Sequence, residues 1–115
     1  MKMRIAVLVL SLLPLSSGSA QEPKVVQATF KVSGNCNLCK GRIEKALAIR
    51  EVKSAKWDRK SAVVTIAYLI PSISLDSLQH RVAAVGHDTG KFKAPDEVYS
   101  GLPSCCRYRE RNRAR

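Results

Sequence analysis

An antiparallel sheet with two helices on one face, in the order β-α-β-β-α-β, is the α+β fold this sequence predicts. Three observations predict it. Apolar residues recur with period two in some stretches and with helical period in others, and the two kinds of stretch alternate along residues 25–93. Turn chemistry falls between them, at Gly34-Asn35, at the polar stretch 58–61 and at Pro71. Gly86 follows the second helical stripe, where a C-terminal glycine cap belongs.

The elements follow in chain order. Residues 25–32 read as a strand, with Ala28, Phe30 and Val32 on one face and Thr29 and Lys31 on the other. A helix over residues 37–49 places Cys39, Ile43 and Leu47 on one face, with Ala46 beside them. Residues 52–57 form a second strand with Ala55 and Trp57 on a common side. Residues 62–69 form a third, rich in β-branched residues, with Val64, Ile66 and Tyr68 facing one way. Pro71 ends it. A second helix begins near Ser72 or Ser74, either of which suits an N-cap, and carries the stripe Leu75, Leu78, Val82 and Val85. Residues 88–93, with Phe92 as the one large apolar residue, complete the order as a weak fourth strand. This is the split βαβ, or ferredoxin-like, motif, in a domain assigned to residues 24–94.

The chain is 115 residues long with a formal net charge of +11. Residues 1–20 read as a secretory signal peptide: a basic start at Lys2 and Arg4, an apolar run over 5–15, and small residues ending at Ala20, after which cleavage is expected. The run is shorter than the roughly 20 apolar residues a membrane span needs. The mature chain is therefore expected to be secreted or periplasmic, without stable membrane insertion. Residues 95–115 form a basic, cysteine-containing tail in which Arg107, Arg109, Arg111, Arg113 and Arg115 alternate; such a run reads as solvated and mobile. An exported protein rarely meets nucleic acid, so the charge is assigned to solubility and steering.

The chemistry lies in "SGNCNLCKGRIEKAL", residues 33–47. Cys36 and Cys39 sit where the first helix opens. Unpaired backbone N–H groups and the helix dipole favour negative charge there, which lowers a thiol's pKa, and Lys40 adds a positive neighbour. Thiolates select soft metals such as Cu(I). Two of them suffice for an ion that accepts two-coordinate binding, as Cu(I) and Hg(II) do, whereas Zn(II) wants four ligands.

Cys36-Asn37-Leu38-Cys39, followed by Lys40-Gly41-Arg42-Ile43-Glu44-Lys45-Ala46-Leu47, resembles the heavy-metal-associated domain family. That family includes copper chaperones, the periplasmic mercury-binding protein and the N-terminal domains of copper-transporting ATPases. The resemblance spans roughly residues 25–94. It implies a ferredoxin-like fold that binds a soft metal through its two motif cysteines, here Cys36 and Cys39, and passes it to a metal-transporting or metal-accepting protein. The sequence departs from the family pattern at three places. Gly34 stands two residues before Cys36 and no methionine supports the loop. Asn35 stands where zinc-transporting relatives tend to carry aspartate. His87 follows the glycine after the second helix, where the family usually has an aromatic residue or lysine, and is a candidate third ligand.

The tail holds a second pair, Cys105-Cys106. A disulfide between adjacent cysteines is disfavoured; in an oxidising compartment, bridges to Cys36 or Cys39 remain open. Folded over the loop, the pair would add two sulfurs, up to the four that suit Zn(II). Four readings therefore stand: an exported Cu(I) or Hg(II) metallochaperone, a Zn(II)-binding module using the tail, an interaction module whose cysteines are structural, or a thiol-disulfide oxidoreductase. The last lacks Trp-Cys-Gly-Pro-Cys character at the site, and its usual fold does not match this element order. No Ser-His-acid or paired-carboxylate arrangement supports a hydrolase, so the preferred reading is not an enzyme.

Overall fold

The computed structural model describes residues 22–113, so the signal-peptide assignment lies outside the described residues. Three strands, β1 (Lys24–Lys31), β2 (Val52–Asp58) and β3 (Val63–Ile70), form an antiparallel sheet in the order β1-β3-β2. Alternation sets the register. Phe30 and Trp57 flank Val64, Ala28 and Ala55 flank Ile66, and Val26 and Val52 flank Tyr68. Each row places apolar side chains from three strands on one face, as the period of two requires. Onto that face α1 (Asn37–Ala46) delivers Cys39 and Ile43, and α2 (Leu75–Ala84) delivers Leu78 and Val82, all fully buried in a single cluster with Phe30, Trp57 and Val64. The expected α+β, ferredoxin-like arrangement is thus present, with one departure.

Both ends of α2 are chemically fixed. Ser74 is the N-cap, its hydroxyl accepting from the Ser77 N–H at 3.1 Å. At the other end Gly86 takes φ +111°, its N–H bonds to Ala83 and that of His87 bonds to Val82. These two bonds are the Schellman pattern, which needs a residue that tolerates positive φ.

The departure is the fourth strand. Residues 88–93 make only a single bridge, Val32 to Thr89, and then turn back. Side chains have captured the backbone donors a strand would have used. Thr89 Oγ1 accepts from the Phe92 N–H at 2.9 Å, and Asp88 Oδ1 accepts from the Ala94 N–H at 2.7 Å. Threonine and aspartate compete in this way with regular ladders.

The expectation of a mobile tail is also corrected. Residues 95–110 fold back on the domain as α3 (Asp96–Ser100), a 3₁₀ turn (Ser104–Cys106) and the start of α4 (Tyr108–Arg113). Tyr99, Leu102, Cys106 and Tyr108 are all buried in the domain's own core. Among the described residues, no helix is long and apolar enough to cross a membrane.

Candidate metal centre

The loop from β1 to α1 is held from three sides. Trp57 Nε1 donates to Val32 O at 2.9 Å, Ser33 N–H donates to Asp88 O at 2.8 Å, and Arg59 Nε donates to Asn35 O at 2.9 Å. The Trp57 ring packs under Gly34 so closely that a Cβ there would lie 3.0 Å from Cζ2. This indole supplies the support that the absent methionine left unassigned. The alternation of β2 turns Trp57 inward, but nothing local in the sequence says that it reaches the loop.

Cys36 is the N-cap of α1, in an extended conformation, and Cys39 lies in the first turn. Their sulfurs are 3.2 Å apart. Cys39 is fully buried and its sulfur accepts from the Asn35 N–H at 3.4 Å; Cys36 is partly exposed. The tail brings the second pair to the same place. Cys105 Sγ lies 2.8 Å from Cys36 Sγ, and Cys106 Sγ lies 2.8 Å from Cys39 Sγ and 3.7 Å from Cys36 Sγ. Cys105 and Cys106 are 3.9 Å apart, each facing a different motif cysteine. All four are free thiols, and Cys106 is fully buried.

Electrostatics separates Cys36 from the tail pair. Burial works against a charge on Cys36. Hydrogen bonds from the Cys105 side chain, the Cys39 backbone, and the Cys39 and Cys106 side chains outweigh it and bring this thiol down to about 6. Cys105 is pushed up, first by its bond to Cys36. Cys106 is pushed up by burial and by its bonds to Cys39 and Cys36. Cys36 is thus favoured as the thiolate over the tail pair Cys105 and Cys106. Lys40, expected to stabilise it, does not point there: its ammonium pairs with Glu44 and donates to Trp57 O at 3.1 Å.

His87 is fully buried, and the structure does not bring it into the sulfur cluster. Its Nδ1 donates to Ser33 O at 2.9 Å and its ring stacks on Tyr108 at 5.6 Å. This leaves Nε2 as the unprotonated nitrogen, buried without a partner. Burial is the main force holding His87 below the ordinary histidine pKa. His80, on α2, is exposed and lies against Phe92. Sequence reasoning also missed the tail's anchors. Tyr108 Oη donates to Gly86 O and accepts from the Asp88 N–H, both at 2.7 Å. Arg109 joins Asp88 to Asp96.

No protein-family model matches the sequence, and no curated protein matches it. Solved structures do. A CopZ metallochaperone matches at 26% identity with a TM-score of 0.53, over 56% of this chain and 98% of its own. The N-terminal domain of a potential copper-translocating P-type ATPase from Bacillus subtilis, in the Cu(I)-loaded state, matches at 29% identity with a TM-score of 0.54, over 57% of this chain and 85% of its own. The chain therefore has the fold of the heavy-metal-associated domains, the family that residues 36–47 resemble.

Proposed function

We propose that this protein binds a soft d¹⁰ ion through Cys36 and Cys39 and hands it to a metal-accepting or metal-transporting protein. Cu(I) is the first cargo and Hg(II), with the same two-coordinate chemistry, the second. The observation that carries the reading is the pair of sulfurs 3.2 Å apart at the N-terminus of α1, in a fold shared with a metallochaperone and a Cu(I)-loaded ATPase domain. Soft sulfur donors fit such ions. Cys36, the more exposed sulfur, is the one a partner's thiolate approaches. Cys39, buried, holds the ion while the exchange begins. The incoming thiolate adds to the ion, a three-coordinate intermediate forms, and one original thiolate departs, with no change in oxidation state. The leader-like residues 1–20 support an exported, periplasmic or secreted location, in which the cysteines are loaded in the reduced state. No nucleic-acid role and no enzymatic turnover belong to this reading.

The test is Cu(I) affinity of the reduced protein, measured against a competing chelator. The Cys36→Ser/Cys39→Ser chain is expected to lose tight 1:1 binding while keeping its far-UV circular dichroism. Undiminished affinity in that chain refutes the assignment.

A further inference from the structure

We propose that Cys105 and Cys106 make this a second kind of metal site: a four-sulfur cage for a tetrahedral divalent d¹⁰ cation, with Zn(II) as the cargo. The inference builds on the reading of Cys36 and Cys39 as a metal clamp and adds a cation class that the clamp alone does not serve. An ion of this class is four-coordinate in closed sites and is held poorly by two sulfurs.

Three observations carry it. The first is spacing. Zn–S bonds of 2.3 Å place the sulfurs of a tetrahedron about 3.8 Å apart, whereas a linear ion on bonds of that length needs its two sulfurs about 4.6 Å apart. The Cys36–Cys106 and Cys105–Cys106 separations are 3.7 and 3.9 Å, at that edge length. Cys36–Cys105, Cys39–Cys106 and Cys36–Cys39 are shorter, at 2.8 to 3.2 Å. Cys36, Cys39 and Cys106 form a trio with all sulfurs within 4.8 Å of one another, and Cys105 joins it from the Cys36 side. Two edges thus already have tetrahedral length, and an entering ion has only to spread the three short ones and draw the partly exposed Cys105 onto the trio. The second is preorganisation. Contacts that involve no cysteine hold the strap on both sides of the pair: Leu102 packs against Gly86 before it, and Tyr108 and Arg109 bond to Gly86, Asp88, Ala94 and Asp96 after it. The tail's thiols are thus delivered by the fold, and ordering them does not fall on the ion. The third is burial. Cys106 is fully enclosed with its sulfur turned to Cys39 and Cys36, so no solvent ligand needs to fill that side. Loading moves no electrons: each ligating thiol releases its S–H proton to solvent as its sulfur bonds to the cation.

Co(II), whose absorption reports both tetrahedral geometry and thiolate number, is the probe. The reduced full chain is expected to bind one Co(II) with intense sulfur-to-metal charge-transfer and tetrahedral d–d bands, and to release it to one equivalent of Zn(II). Cys105→Ser/Cys106→Ser is expected to lose the tetrahedral bands and ~100-fold or more in Zn(II) affinity, while Cu(I) affinity changes by less than tenfold. Cys105→Ser alone, at a partly exposed position, keeps the experiment readable if the buried replacement unfolds the chain; it is expected to weaken the charge-transfer band. An unchanged Co(II) spectrum and Zn(II) affinity in both tail variants overturns the cage and leaves the clamp standing. Retention of Cu(I) by the Cys36→Ser/Cys39→Ser chain overturns the clamp instead, so the two failures are separable.

Discussion

Arg109 grips Asp88 with two nitrogens, Nη2 on Oδ1 at 2.7 Å and Nε on Oδ2 at 3.1 Å. The same guanidinium reaches Asp96 Oδ1 and Ala94 O and lies 4.3 Å from the centre of the Tyr99 ring. Planar, forked recognition of this kind is what arginine does and lysine does not. Asp88 belongs to the segment bridged to the end of β1, so this contact fastens the tail beside the sulfur cluster.

Arg109→Lys should therefore loosen the tail. The side chains keep 18% and 22% of their surface exposed, so the loss falls below that of a fully buried pair, at about 1–3 kcal/mol. The sharper readout is local. Alkylation of Cys106, protected in the parent chain, should speed up at least several-fold in the variant. Equal rates in the two chains would show that the clasp does not hold the strap.

Gly86→Ala tests the same junction from the domain side. The glycine sits at φ +111°, and an added Cβ would lie 2.8 Å from Leu102 Cδ2. Strained backbone and overpacking act together, so a loss of roughly 2–4 kcal/mol in denaturant unfolding is expected. Adding Leu102→Ala should recover part of the overpacking component, and strictly additive losses in that double variant would contradict the contact.

Most of the scaffold can be read from the sequence because local rules govern it. Period-two alternation located β1, β2 and β3, and the ends of α2 were marked by chemistry confined to one turn: Gly86 at one end and, at the other, Ser72 or Ser74, of which Ser74 is the cap. Cys36 and Cys39 were legible for the same reason: their spacing and their place before a helix are local facts. The fourth strand failed because Asp88 and Thr89 have side chains that satisfy nearby backbone donors, a competition that hydrophobic pattern does not register. The tail failed for a different reason. Its order comes from Tyr108 meeting Gly86 and from Arg109 meeting Asp88, contacts about twenty residues apart that leave no periodic trace. An alternating arginine run looks the same whether it is solvated or, as at Arg109, pinned.

His87 gives the molecule a pH dependence of definite sign. Burial lowers its pKa, and Arg42 on α1 acts in the same direction. The bond to Ser33 O and the charge of Asp88 oppose them, and the Tyr108 ring covers the imidazole. A histidine whose folded value is depressed contributes stability that is fully present above the unfolded value, about 6.5, and is lost as pH falls from there toward the folded value. Unfolding free energy should thus decline as pH falls below about 6.5, by at most about 1.4 kcal/mol per unit from this group. His87→Gln should flatten that segment. An identical slope in the variant would remove His87 as the cause.

Trp57, the single tryptophan of the chain, ties the sheet to the metal loop. Its ring is buried beneath Gly34, and its N–H satisfies Val32 O. Phenylalanine retains most of the apolar surface but carries no donor, so Trp57→Phe leaves that carbonyl unpaired in a buried place. The orphaned group costs about 1–3 kcal/mol, and the smaller ring leaves a gap beside Cys39. Because the loop carries Cys36, the damage should reach binding as well as stability. Cu(I) affinity is expected to fall while the stoichiometry stays at one ion per chain, and amide exchange at residues 33–36 should accelerate more than exchange in β3. A variant that loses stability evenly, with Cu(I) affinity and loop exchange tracking only the global change, would show that the indole serves the core and not the loop.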